Sequence, residues 1–252
     1  MIVLLLVGLA LYAYTVGTRT LLEHAENFSF RRLSVARVED QNAFRFFYVT
    51  NRQPGDLQGA VEGRYEPTRE TSLKFGSFDT SIEASLGLGI IIDPSAWFLN
   101  EEINLREVRS LEQQAFLSEL RQQVEASPNR SLLLVVHGFR EAFPSALRKT
   151  AFLAHVLDID TPVVVFDWPG NQGSSLRGYR RARQVAQASG AELASTVKLI
   201  IDEAQPERLW LMANSMGGQV VADAFSILYQ DADLADAQTE IENVVLTAPD
   251  VG

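Results

Sequence analysis

The chain has 252 residues, 46% of them hydrophobic and 21% charged, which suits one globular domain with a sizeable core and excludes a disordered or low-complexity chain. A formal net charge of −10 would repel a phosphate backbone over most of the surface and argues against nucleic acid as a partner. With no cysteine there is no disulfide framework, thiolate nucleophile or cysteine metal site, and the only histidines are His24, His137 and His155.

Residues 1–17 (MIVLLLVGLALYAYTVG) carry no charged side chain, and the first basic residue is Arg19. Such a run is expected to direct the chain to a membrane, as a signal anchor or a cleavable signal peptide, with a buried strand or helix as the alternative. Residues 1–18 are therefore set apart from a single domain over 19–252, and the protein is expected to be membrane-anchored or exported. Residues 45–50 (RFFYVT) read as a strand, followed by turn chemistry in Asn51-Arg52-Gln53-Pro54-Gly55. Between residues 53 and 104 the pattern is irregular, with strand candidates at 72–78 and 87–92, and is read as an antiparallel edge with loops. Over 110–126, Leu111, Phe116, Leu117, Leu120 and Val124 share one helical stripe, and Ser110 with Gln113 has capping-box spacing.

A regular alternation follows. Residues 131–136 (SLLLVV) form a continuous apolar run, as in a strand buried on both faces of a parallel sheet, and a helix is expected over about 145–157. The run 162–167 (PVVVFD), a helix over about 179–204, the strand 208–214 (RLWLMAN), a helix over about 216–230 and the strand 243–247 (NVVLT) complete the series. Strands alternating with helices predict an α/β fold: a mostly parallel sheet with right-handed crossovers and helices on both faces, whose ligands bind at the carboxyl ends of the strands.

Each of those strands ends in a distinctive cluster: His137-Gly138-Phe139, Asp167-Trp168-Pro169-Gly170, Asn214-Ser215-Met216-Gly217-Gly218 and Ala248-Pro249-Asp250. The third carries the most chemistry. A serine between a buried strand and a helix requires a sharp turn, and small residues two positions either side, here Ala213 and Gly217, let strand and helix approach. The turn lifts the Ser215 hydroxyl above the sheet, beside backbone N–H groups where an oxyanion would form. A tight strand-to-helix connection without chemistry is the competing reading. His137 is read as a structural hydrogen-bonding residue, His155 and His24 as solvated or locally bonded. Asp167 and Trp168 are read either as lining a substrate entrance or as fixing a loop.

The segment ANSMGG, preceded by RLWLM, resembles the nucleophile elbow of the α/β-hydrolase superfamily, with Ala213 in place of the first glycine of Gly-x-Ser-x-Gly. Together with FFYVTNR, LLVVHGF, VVVFDWPG and VVLTAPD, it is similar to a bacterial branch of uncharacterised esterase/lipase-like hydrolases, from about Phe44 onward. The resemblance implies a three-layer sandwich and a serine hydrolase of the bacterial cell envelope acting on carboxylic esters or related, lipid-like acyl substrates through an acyl-enzyme on Ser215. It also implies an oxyanion hole from the backbone N–H groups of Phe139 and Met216, and no metal or organic cofactor. Asp250 is the candidate acid of the triad, because some members place it after this strand.

In that superfamily the triad runs Ser, acid, His along the chain, yet no histidine follows Ser215 within 252 residues. Two expectations follow. One is a chain lacking the C-terminal strands that bring the histidine, and therefore inactive in itself. The other is a non-catalytic binding or scaffolding protein that keeps the fold. Oligomeric state is left open.

Overall fold

A computed structural model describes residues 36–38, 43–84, 101–157, 159–230 and 241–251. Seven strands form one sheet: β1 Ala43–Pro54, β2 Tyr65–Ala84, β3 Glu101–Leu111, β4 Ser131–Val136, β5 Val163–Asp167, β6 Arg208–Asn214 and β7 Ile241–Thr247. Among the described residues four α-helices intervene: α1 Gln113–Ala126, α2 Phe143–Val156, α3 Leu176–Leu199 and α4 Gly217–Leu228. The strand order is β3-β2-β1-β5-β4-β6-β7. β1 to β3 pair antiparallel, and β1, β5, β4, β6 and β7 run parallel.

The apolar runs become the centre of the sheet because they alone can be buried on both faces. Every residue of β4 and β5 is buried. Alternate residues feed two cores. Leu132, Leu134, Val136, Val164 and Phe166 meet Phe116, Leu120 and Val124 of α1, Ala182 and Leu193 of α3 and Val220 of α4. Leu133, Val135, Val163 and Val165 meet Phe143, Leu147 and Ala151 of α2 on the opposite face. Helices thus cover both faces, as the alternation predicts.

The chain runs from β4 to β5 on one side and then to β6 on the other side of β4, so the winding reverses beside the carboxyl end of β4. In open α/β sheets ligands bind at such a reversal. The pairs Thr50↔Asp167, Val136↔Phe166, Val136↔Ala213 and Asn214↔Thr247 bring the ends of five strands to one edge.

Several sequence expectations shift. The strand candidate at 72–78 belongs to the 20-residue β2, whereas the one at 87–92 lies outside the described residues. Ser110 and Leu111 end β3 instead of opening a helix. The cap of α1 is Glu112, with no side-chain hydrogen bond, so the capping box does not form. β1 continues through Asn51 and Arg52, where its register against β2 shifts twice, and turn chemistry begins only at Gly55. α3 starts three residues earlier than expected, because the Ser175 side chain accepts a hydrogen bond from Gly178 N–H and caps it. His155 is buried, 8% exposed, which leaves the locally bonded of its two readings. Among the described residues no helix is long and apolar enough to cross a membrane; residues 1–18 and His24 lie outside them.

Candidate active site

Ser215 occupies the two-residue junction between β6 and α4 with φ at +50°, a left-handed conformation that costs a non-glycine residue roughly 1–3 kcal/mol. The surroundings hold it there. Ser215 N–H donates to Thr247 O at 2.9 Å, and Ser215 O accepts from Gly218 N–H at 2.9 Å and Asp250 N–H at 3.1 Å. Glycine packs closely after the bend and in the loop that faces it. A Cβ at Gly217 would stand 2.6 Å from His137 O and 2.7 Å from Val136 O, and one at Gly138 would stand 3.1 Å from Ser215 Cβ. Ala213 is buried against the core, so alanine is small enough for the packing just before the bend.

The close approach at Gly138 puts the loop after β4 directly beside Ser215. Around the bend, the N–H groups of Ser215, Gly218, Gln219 and Arg140 each donate to a backbone carbonyl. Those of Phe139 and Met216 take no backbone acceptor among the described residues. Met216 buries its side chain in the core, while the Phe139 ring stands edge-on to Tyr179 at 5.5 Å between centroids.

Asp250 lies on the same edge. Its backbone bonds Ser215, and its carboxylate accepts the Tyr179 hydroxyl at 2.5 Å. That bond, first among the causes, holds the Tyr179 hydroxyl above the usual tyrosine pKa. Tyr179, near the start of α3, was not singled out from sequence as a site residue.

Behind the loop sits a buried polar cluster. Arg52 and Asp167 are wholly buried and paired: Nε donates to Oδ2 at 2.7 Å and Nη2 to Oδ1 at 3.1 Å. Thr50 Oγ1 donates to Asp167 Oδ2 at 2.7 Å, and His137 Nε2 lies 3.0 Å from Asp167 Oδ1. Burial on its own would raise the pKa of Asp167, but the Arg52 charge and the His137 contact outweigh it and hold the carboxyl below the usual range. His137 Nδ1 faces Gly138 O at 2.9 Å, its Nε2 lies 3.1 Å from Trp168 N, and its ring stacks on Trp168. Both nitrogens are thereby engaged, which places His137 in the structural role read from sequence. Asp167 and Trp168 are fully buried and line no entrance; they fix loops.

The structure therefore brings Ser215, Phe139, Met216 and Asp250 together and engages both ring nitrogens of His137 with Gly138, Asp167 and Trp168. Thr50, Arg52 and Asn171 complete the cluster and were missed; the sequence signal for Thr50 and Arg52 was the polar end of FFYVTNR, on an otherwise apolar strand.

A search of curated proteins finds no relative that matches. A family model described as "Alpha/beta hydrolase of unknown function" matches residues 112–252, from α1 through the elbow to the end of the chain. With more than half of its length matched, the chain belongs to this α/β-hydrolase family, DUF900.

Proposed function

We propose that the protein is a serine hydrolase that cleaves carboxylic esters or related acyl substrates through an acyl-enzyme on Ser215. The observation that carries the reading is the positive φ of Ser215 at a strand-to-helix junction, with Gly217 packed so closely on the backbone of Val136 and His137 that a Cβ there would force a shift, and with Gly138 close beside Ser215. Strain of this kind persists where the surroundings over-determine it, and it clusters at functional sites. In the proposed reaction Ser215 Oγ attacks the acyl carbon, and the carbonyl oxygen becomes an oxyanion received by Phe139 N–H and Met216 N–H. Collapse of the tetrahedral intermediate releases the alcohol, and water then hydrolyses the acyl-enzyme. Asp250 is proposed as the acid that orients the base.

A serine hydroxyl must lose its proton as it attacks, so the reaction needs an imidazole within reach of Ser215 Oγ. His137 is engaged with Asp167, Trp168 and Gly138, and no histidine follows Ser215. Residues 1–252 alone are thus predicted to react slowly at Ser215. The engagement of both His137 nitrogens favours the second reading, a non-catalytic binding protein that keeps the sheet edge as a ligand site. The apolar residues 1–17 are proposed to hold the domain at a membrane, where lipid-like acyl substrates would be met.

The test is labelling with a fluorophosphonate, together with turnover of p-nitrophenyl esters, in the protein as its gene encodes it. Labelling and turnover that vanish in Ser215→Ala support the hydrolase; labelling that survives the substitution refutes it. Ester-analogue binding without labelling favours the second reading.

A further inference from the structure

We propose that Arg52 is a positioning residue for acyl transfer: its buried guanidinium fixes the 137–142 loop, and with it the Phe139 N–H, relative to Ser215. The inference rests on the reading of Ser215 as the nucleophile.

The last parallel pair between β1 and β5 is Thr50↔Asp167. Arg52 lies two residues further on and, like Thr50, bonds Asp167 Oδ2, so it overhangs the end of β5. There its planar fork meets acceptors from three places. Nε and Nη2 grip the Asp167 carboxylate at the end of β5. Nη2 also donates to Trp168 O at 2.7 Å, and Nη1 to Asn171 Oδ1 at 2.6 Å, both in the loop after β5. Finally, Nη2 reaches Glu141 O at 2.8 Å, two residues past Phe139 in the loop after β4.

The two loops leave the sheet after the pair Val136↔Phe166, and beyond it side chains and isolated backbone bonds set their spacing. Trp168 Nε1 donates to His137 O at 2.8 Å and Arg140 N–H to Gly170 O at 3.0 Å, which ties the loops to each other. Arg52 ties both to β1. A Cβ at Gly217 would meet the same His137 O, so the tethered loop is also the surface on which the start of α4 rests.

Stability by itself does not call for a guanidinium here, because apolar side chains of similar volume often serve a buried site as well as an ion pair does. What arginine adds is direction: a rigid fork that bonds a carboxylate and two carbonyls at fixed angles, which lysine cannot match. An oxyanion donor works only within about half an ångström of its productive place, so a device of this kind has a use at this loop.

The experiment compares three variants with wild type, each at a temperature where it is folded, by steady-state ester hydrolysis. In Arg52→Lys the charge stays but the fork is lost, and kcat is expected to fall on the order of 10- to 100-fold with KM within about 2-fold. In Asn171→Ala, at the partly exposed end of the cluster, a fall of about 3- to 10-fold is expected with little risk to folding. Glu192→Gln is the control. Glu192 is buried against Asn51 and Arg69, on the opposite face of β1, so its loss is expected to lower the melting temperature and leave kcat unchanged. Wild-type kcat in both Arg52→Lys and Asn171→Ala overturns the inference, as does a kcat loss of equal size in Glu192→Gln. If Arg52→Lys does not fold, Asn171→Ala decides. Absence of Ser215-dependent turnover in wild type is a different failure: it removes the hydrolase reading, and the inference with it.

Discussion

Replacing Gly217 by alanine tests the close packing of the elbow with a single methyl group. The new Cβ would lie 2.6 Å from His137 O and 2.7 Å from Val136 O, whereas ordinary contact begins at 3.4 Å, so one partner must move by about 0.8 Å (3.4 − 2.6). Neither carbonyl is free to do so: β4 is paired on both sides, and His137 O already accepts the Trp168 indole. The start of α4 must therefore lift, carrying Met216 and Ser215 with it. Overpacking of this kind costs about 1–3 kcal/mol. The better helix propensity of alanine returns less than about 1 kcal/mol in a first turn. We expect a net loss of about 1–2 kcal/mol by urea denaturation. A shift approaching 1 Å should also slow Ser215 labelling on the order of 10- to 100-fold. Gly63→Ala serves as the control, since a Cβ there meets nothing within 4 Å, and a change within about 0.5 kcal/mol is expected. A Gly217→Ala protein as stable as wild type, with unchanged labelling, would refute the description of the elbow.

Two further predictions concern strain and charge. At ordinary φ, glycine is less stable than alanine by roughly 0.5–1 kcal/mol; at φ +50° the order should invert, so Ser215→Gly is expected to unfold at higher urea than Ser215→Ala. Alanine as the more stable of the two would contradict a strained residue 215. Asp167→Asn leaves the buried Arg52 guanidinium without its counter-charge and should cost about 3–5 kcal/mol. Because the folded pKa of Asp167 lies below its unfolded value near 3.9, its stabilisation is present in full at neutral pH. It is lost as pH falls below about 4 toward the folded pKa. The acid limb of wild-type stability should accordingly be steeper than that of Asp167→Asn, by up to about 1.4 kcal/mol per pH unit. Parallel limbs would mean that Asp167 is not held in its charged form.

Much of the architecture was legible because burial on two faces leaves a plain mark: SLLLVV and VVVFD are apolar without alternation and became β4 and β5, while RLWLMAN became β6, which buries one face fully and leaves Trp210 and Met212 half-buried on the other. β3 was missed for a physical reason. In EEINLREVRSL the inward residues Ile103 and Leu105 alternate, then a register shift opposite Asp79 and Thr80 moves the next inward residue to Val108, and the period of two is broken. The elbow was readable because its demands are local: a bend, a small residue before it and a glycine after it. The cluster behind it was not, since Arg52, Glu141, Asp167 and Asn171 are separated by as many as 119 positions and meet only once β1 lies against β5. Nothing local in the segment RRARQ or in APD announces that the Tyr179 hydroxyl reaches Asp250.

In the proposed reaction the Ser215 hydroxyl attacks an acyl carbon whose oxygen is received by two backbone amides. A crystal structure of the protein after reaction with a fluorophosphonate measures this most directly. The account predicts a phosphorus–Oγ bond at Ser215, with the phosphoryl oxygen about 2.7–3.1 Å from the nitrogens of Phe139 and Met216. An adduct on another residue, or a phosphoryl oxygen turned into solvent away from both amides, would contradict it.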